Sequence, residues 1–338
     1  MKKKYKIGVS ISGLGVGELH MRNVIENKKS YLNLVYDPDN YKVRKIKKKI
    51  HFNDTSNFKK LVSNNKTDIL VIASPDDKHV HQIEQGLKYK KHIFCEKPLC
   101  NSEKEIKRIY EAYKINNKKY KIKSNLVLRT ADIYKWLKNK ISENYFGEIY
   151  SIDAEYLYGR KEKIINGWRG KAKNYTGMKG GGVHMVDIIC WITGKLPKYV
   201  RSFGNNIALK KYNLKHNDFM TSILTFDDGL VAQVSSNLAS IHKHHHLLRI
   251  YGSKKTFIYD DNGPRVFASR AQNYKPKKLK IKTLPKNKSL LLNNFIDLIK
   301  KNKILEKDTI YEFNLINILN ACHTSLKKGK NIKINYFK

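Results

Sequence analysis

Lys97 sits in the run Cys95-Glu96-Lys97-Pro98, at the end of a short apolar stretch, His92–Cys95. A lysine at the carboxyl end of a strand can pass a proton to or from a reacting hydroxyl, and the proline behind it stiffens the turn. In a chain this rich in lysine the same residue also fits a solvated surface charge. A second candidate is His184, in the apolar run Val183–Thr193, with Asp187 three residues on. Residues three apart share a helix face, and burying both groups is costly unless they pair or meet a ligand. A carboxylate could then orient the imidazole for acid–base work. The alternative is a purely structural pair.

Glycines Gly13, Gly15 and Gly17 follow the apolar stretch Tyr5–Ser12, with Leu14 and Val16 between them. At a strand-to-helix turn, such glycines let the backbone approach a pyrophosphate lying on the helix N-terminus. The spacing departs from G-x-G-x-x-G, since the third position counted from Gly13 is Glu18. About twenty residues on, Asp37 could hold the adenosine ribose hydroxyls, and no arginine follows it closely, so NAD is favoured with NADP as the alternative. Beside Pro38 it could equally cap a helix. Tyr156, Tyr158 and Arg160 alternate and share one strand face. With Trp168 and Arg169 they could form a wall for a sugar, or else a subunit interface. His242, His244 and His246 share another strand face, but no supporting carboxylate set accompanies them, so no metal site is expected.

The elements that must position these residues come in two styles. Up to Leu126, near-continuous apolar strands alternate with helices: strands Tyr5–Ser12, Tyr31–Asp37, Asp68–Ser74, His92–Cys95 and Tyr120–Leu126. Ser102-x-x-Glu105 is a capping box opening one of the helices. This pattern predicts a doubly wound parallel sheet covered on both faces. Beyond it strands dominate, with Asp227-Asp228-Gly229 as a hairpin turn and two helices near the C-terminus, predicting an α+β domain with a large, mostly antiparallel open sheet. The expected domains are 1–124 and 125–338.

The chain has 338 residues, 41% of them hydrophobic, enough for about two cores. No apolar run is long enough to serve as an export signal or to cross a bilayer, so a cytoplasmic protein with no membrane partner is expected. Cys95, Cys100, Cys190 and Cys322 are widely spaced and read as reduced structural thiols. The net charge of +39 would suit a nucleic-acid binder. But lysine outnumbers arginine, and the lysines are spread without a basic stripe, so compositional drift and no nucleic-acid partner are expected.

Taken together, the glycine turn with His20, Ser74-Pro75 with His79, and Glu96-Lys97-Pro98 resemble the Gfo/Idh/MocA oxidoreductases, the glucose–fructose oxidoreductase and inositol dehydrogenase family. Ser124-Asn125, Leu128-Arg129, Gly147-Glu148-Ile149, Gly167-Trp168-Arg169 and Gly180–Asp187 extend the likeness over essentially the whole chain. The resemblance implies a Rossmann domain that binds NAD or NADP and a sheet domain that pairs in homodimers or homotetramers. It implies hydride transfer at a secondary alcohol or ketone of a sugar or sugar nucleotide. It makes Lys97 the proton shuttle and His184 the acid–base partner, and it puts Ser74, Pro75, His79, Glu96, Pro98 and Asn125 around the cofactor and Arg129 at the substrate. Two departures stand out. Many members carry an aspartate four residues before the histidine, where this chain has Gly180, and the family's first two turn glycines fall at Ser12 and Leu14. Both changes resemble a subgroup associated with surface-sugar biosynthesis. Two rivals share the fold: a glycoside hydrolase or lyase that uses NAD transiently, and a sugar-sensing regulator without turnover.

Overall fold

The computed structural model describes residues 5–167, 170, 175–303 and 306–338, which form two compact units. The first comprises residues up to Val127 together with Asn287–Ile316 and Phe337–Lys338; the second comprises Leu128–Lys286 and Asn317–Tyr336.

In the first unit strands and helices alternate: β1 (Ile7–Ser12), α1 (Gly17–Glu26), β2 (Ser30–Tyr36), α2 (Asn40–Lys47), α3 (Phe58–Ser63), β3 (Ile69–Ile72), α4 (Asp76–Lys88), β4 (His92–Cys95), α5 (Glu103–Ile115) and β5 (Ile122–Ser124). The strands lie parallel in the order β2-β1-β3-β4-β5. Every residue of β1 and of β3 is buried, as expected of central strands covered on both faces. The strand order reverses beside β1, so the carboxyl ends of β1 and β3 form the switch point at which open α/β sheets bind ligands. Ser102 caps α5 by accepting the Glu105 N–H at 3.2 Å, while the Glu105 carboxylate accepts the Asn101 N–H at 2.7 Å.

The second unit carries α6 (Asp132–Ser142), β6 (Ile149–Leu157), α7 (Lys161–Ile165), a π-turn at Met178–Gly182, α8 (Val183–Thr193), β7 (Tyr199–Asn205), β8 (Phe219–Thr225), β9 (Val231–Asn237), β10 (His245–Gly252), β11 (Thr256–Asp260), β12 (Gly263–Phe267) and β13 (Lys277–Lys278). Helices α9 (Leu290–Lys300) and α10 (Glu306–Lys328) and strand β14 (Ile332–Lys333) follow. The sheet order is β13-β12-β11-β10-β6-β9-β8-β7-β14, antiparallel except for β6 against β9. Burial alternates along β8 and β10, so one face is packed and the other open. Helix α8 lies on the packed face, buried at nearly every position, and Gly194 ends it with φ +71°.

The single boundary near residue 125 gives way to a chain that returns. Helix α9 and the first half of α10 belong to the first unit. Phe295 packs on Phe94 with ring centroids 5.9 Å apart, Asn293 exchanges hydrogen bonds with Asn23, and Lys123 pairs with the buried Glu312 at 2.6 Å. Strands β12 to β14 were not legible in the sequence. β12 pairs antiparallel with β11, and Arg265 on β12 forks the Asp260 carboxylate on β11 at 2.6 and 2.7 Å.

Candidate active site

The site residues fall into two groups, one in each unit. In the first, Gly13 has φ +93°, and a Cβ there would lie 2.6 Å from the carbonyl carbon and oxygen of Ala73. Only glycine can turn the chain this tightly beneath the end of β3. Gly17 packs α1 closely on the sheet, where an added Cβ would lie 3.2 Å from Ala73 and Ile11 side-chain carbons. A Cβ on Gly15 would meet nothing within 4 Å, so the tip of the turn faces open space. Val16 precedes α1 without a side-chain cap; its carbonyl accepts the Leu19 N–H at 3.0 Å, and the N–H groups of Gly17 and Glu18 before it are placed to meet an anion. Open room at Gly15 and an uncapped helix N-terminus fit a pyrophosphate.

Asp37 follows β2 and is 5% exposed; one carboxylate oxygen accepts the Leu14 N–H at 2.6 Å and the other accepts the Asp39 N–H at 2.9 Å. It therefore ties the glycine turn to the end of β2. The helix cap that Asp37 could have supplied belongs instead to Asp39, which accepts the Lys42 N–H.

The turn after β4 is braced from three sides. The Glu96 carboxylate accepts hydrogen bonds from buried His20 at 2.9 Å and from Asn125 at 2.7 Å. Burial opposes its ionisation, but the bonds from His20 and Asn125 and the neighbouring Lys97 charge outweigh it and hold the carboxyl below its ordinary range. The imidazole of His79, fully buried, lies between the carbonyl oxygens of Pro98 and Ser74 at 2.8 and 3.0 Å, its N–H donating to one of them. Ser74 donates its hydroxyl proton to Gln82 at 3.0 Å, and Pro75 opens α4. Lys97, half-buried, thus projects from a turn anchored to α1, α4 and the end of β5.

In the second unit His184 opens α8 and is 8% exposed. Its ring centroid lies 6.5 Å from that of His246, which lies 5.0 Å from His244. Tyr156 meets both of those histidines edge-on and stacks on Tyr158 at 6.0 Å. Burial, then the Arg160 charge, lowers the His244 pKa. Tyr156 is buried, 7% exposed. Arg160 lies past the strand end, exposed, where it precedes α7. Of the three histidines expected on one strand face only His246 lies within β10; His244 and His242 precede it, and His242 bonds Asp261 at 2.8 Å. Trp168 and Arg169 lie outside the described residues.

Asp187 also finds a partner that helix spacing does not suggest. The guanidinium of Arg129, on the 3₁₀ turn Val127–Thr130, forks its carboxylate at 2.9 and 2.5 Å. An arginine fork matches a carboxylate better than an imidazole edge does. All four cysteines are buried and unpaired to one another. Among the described residues no group of three or more His, Cys, Asp or Glu side chains could hold a metal ion, and no helix is long and apolar enough to cross a membrane.

Both units match known families. Residues 7–124 fit the oxidoreductase family with an NAD-binding Rossmann fold, and residues 134–258 fit the GFO/IDH/MocA C-terminal domain. The chain belongs to the Gfo/Idh/MocA oxidoreductase family. Its first unit is the family's NAD-binding Rossmann domain. An uncharacterized oxidoreductase of Streptococcus pneumoniae is 25% identical over 257 residues, 75% of this chain and 68% of that protein. The 2,7-anhydro-N-acetylneuraminate hydratase of Escherichia coli is 25% identical over 264 residues, 75% of this chain and 66% of that protein. The chain thus spans about two thirds of the length of these relatives. The scyllo-inositol dehydrogenase of Lactobacillus casei, crystallised with NAD(H) and scyllo-inositol, shares the fold with a TM-score of 0.79 at 19% identity, over 97% of this chain and 99% of that one.

In this Gfo/Idh/MocA oxidoreductase the altered spacing leaves a glycine where the chain must turn, at Gly13, and another at Gly15, where the turn faces open space. The brace formed by His20, Glu96 and Asn125 spans 76 residues between its first two members and 29 between its last two, so spacing alone carries no sign of it.

Proposed function

We propose that the chain transfers a hydride between NAD and a secondary alcohol or ketone of a sugar, a related polyol or a sugar nucleotide. The carrying observation is Lys97, projecting from a turn that Glu96 and His79 brace at the carboxyl end of β4. NAD, when bound, supplies or accepts the hydride. Lys97 holds the reacting hydroxyl through its Nζ and moves the hydroxyl proton; His184 serves as the second acid–base group. Glu96, held as a carboxylate, keeps His20 and Asn125 in place and so fixes the direction in which Lys97 projects. Asp187 positions rather than reacts, since its carboxylate is forked by Arg129. Tyr156 and Tyr158 form an aromatic wall of the kind that stacks on sugar rings, and Arg160, Trp168 and Arg169 add donors. A buried carboxylate at Asp37 disfavours a ribose 2′-phosphate, which supports NAD over NADP. The open face of the second unit's sheet supports assembly into homodimers or homotetramers.

A second reading is favoured by the likeness to the Escherichia coli hydratase: NAD is used transiently and regenerated, with no net change in nicotinamide. One experiment separates the two. The purified protein is titrated with NADH and NADPH by nicotinamide fluorescence, then given NAD and a panel that includes myo-inositol, scyllo-inositol, glucose 6-phosphate, N-acetylneuraminate and its 2,7-anhydro form, and UDP-sugars. Net NADH formation, lost in Lys97→Ala while cofactor still binds, is expected. Consumption of a sugar without net NADH would replace the dehydrogenase reading with the transient one, and full activity in Lys97→Ala would remove Lys97 from the mechanism.

A further inference from the structure

The run Gly180-Gly181-Gly182 carries no side chains, and the structure reveals what uses the space. A Cβ on Gly180 would lie 1.9 Å from the hydroxyl oxygen of Tyr175 and 2.3 Å from its Cζ. A Cβ on Gly181 would lie 2.0 Å from Cε1 of Tyr156, and one on Gly182 would lie 2.5 Å from the Met178 sulfur. These separations are far below any van der Waals contact, so each glycine is the seat of another side chain. The glycines of this π-turn admit two phenols and a thioether against the backbone.

The location of the seats gives them a function. Residues 180 and 181 precede His184 by four and three, and the π-turn runs directly into α8. The Tyr175 hydroxyl fills the side-chain volume at position 180 and the Tyr156 ring fills that at position 181, in the turn that leads directly into the end of α8 carrying His184. Tyr175 is 5% exposed, and its ring meets His216 edge-on at 5.1 Å. A phenylalanine would fill the same volume; a tyrosine adds a neutral donor and acceptor there.

We propose that Tyr175 is a substrate-contacting residue whose hydroxyl stands in for the side chain that Gly180 lacks, binding a sugar hydroxyl together with His184. The proposal rests on the sugar-binding reading above. It makes Gly180 obligatory rather than defective: the acid is absent because the phenol occupies its place. The third member of the polar set comes from five residues earlier in the chain, as a group that both donates and accepts where a carboxylate would only accept.

The test uses the full-length protein loaded with NADH, with binding of the panel compounds read from nicotinamide fluorescence. Tyr175→Phe keeps the ring and removes the hydroxyl. The expected result is a variant still folded at the assay temperature, with unchanged NADH affinity and at least tenfold weaker binding of the compound that the parent binds. Equal affinity for that compound in parent and variant overturns this proposal and leaves the sugar reading standing. A parent protein that binds no panel compound removes the sugar reading and this proposal together. Seating is tested separately by melting temperature. Gly180→Ala is expected to lower it strongly in the parent and much less in Tyr175→Ala, where the phenol that the new methyl would strike is gone. Equal losses in both backgrounds overturn the proposal.

Discussion

Replacing Arg129 with methionine removes the cation that forks Asp187, and the structure gives the size of the effect. The Asp187 side chain is 1% exposed and that of Arg129 is 11% exposed, so the carboxylate cannot recover its hydration once the guanidinium is gone. Removing one partner of a buried pair costs about 3–5 kcal/mol, whereas replacing both with apolar residues of similar volume is often nearly neutral. Arg129 also lies over the Trp191 ring at 5.5 Å, a contact worth about 0.5–1 kcal/mol that either arginine variant loses. Arg129→Met should therefore destabilise the second unit by roughly 4 kcal/mol, and Arg129→Met with Asp187→Leu should recover most of that. The assay is built into the sequence. All three tryptophans, Trp136, Trp168 and Trp191, fall within the second unit, so tryptophan fluorescence during urea unfolding reports that unit. A single variant within about 1 kcal/mol of the parent, or a double variant as costly as the sum of the singles, would refute a buried structural pair and return Asp187 to the chemistry of His184.

Two further outcomes follow from the first unit. Gly13→Ala should abolish NADH binding, because φ +93° and backbone atoms of Ala73 and Ser74 within 2.7 Å leave its methyl nowhere to go, whereas Gly15→Ala should fold normally and weaken NADH by intruding on open space; fluorescence titration with thermal melting checks both, and parental NADH affinity in Gly13→Ala would contradict this account of the turn. Acid should weaken the same unit through His92, whose pKa is lowered to about 4, chiefly by burial, and whose Nδ1 accepts the Lys121 N–H at 3.0 Å as only the neutral ring can. The unfolded ring binds its proton near 6.5 and the folded ring only near 4, so stability falls as pH drops between those values, by on the order of 3 kcal/mol in total (a gap of 6.5 less about 4, at about 1.4 kcal/mol per pH unit). Urea unfolding followed by far-ultraviolet circular dichroism should give a flatter pH dependence in His92→Gln; matching slopes would rule His92 out as the source.

Much of the first unit was legible because its cues are local. The short, β-branched apolar run at Ile69–Ile72 reads as a covered strand, the Ser102 cap acts within one helical turn, and a turn at Gly13 needs a residue without a Cβ. The run ending in Glu96-Lys97-Pro98 announces its position because a strand must end where its apolar residues end. In the second unit the alternation along β8 and β10 reveals a half-covered sheet, yet says nothing about β12, which has no such alternation and is paired along β11, with Arg265 forking Asp260 across the pair.

What local patterning could not supply was the choice among distant partners. An amphipathic pattern states that α9 must cover something apolar, but the sheet it covers is the first one, through Phe94 and Phe295. Helix spacing brings Asp187 beside His184, but the guanidinium of Arg129, 58 residues away, forms the better fork. The sequence shows Gly180 only as a position without the family's acid, and only the packed molecule shows the glycine run as a seat for Tyr175 and Tyr156. The sequence by itself determined the family, the two kinds of sheet and the types of residue able to do chemistry, since residue type and spacing control backbone conformation within a few turns. Tertiary structure decided which guanidinium forks Asp187, which glycine is bare and which phenol fills the space at Gly180, because close packing assigns each buried volume and each buried charge to one partner among many separated along the chain.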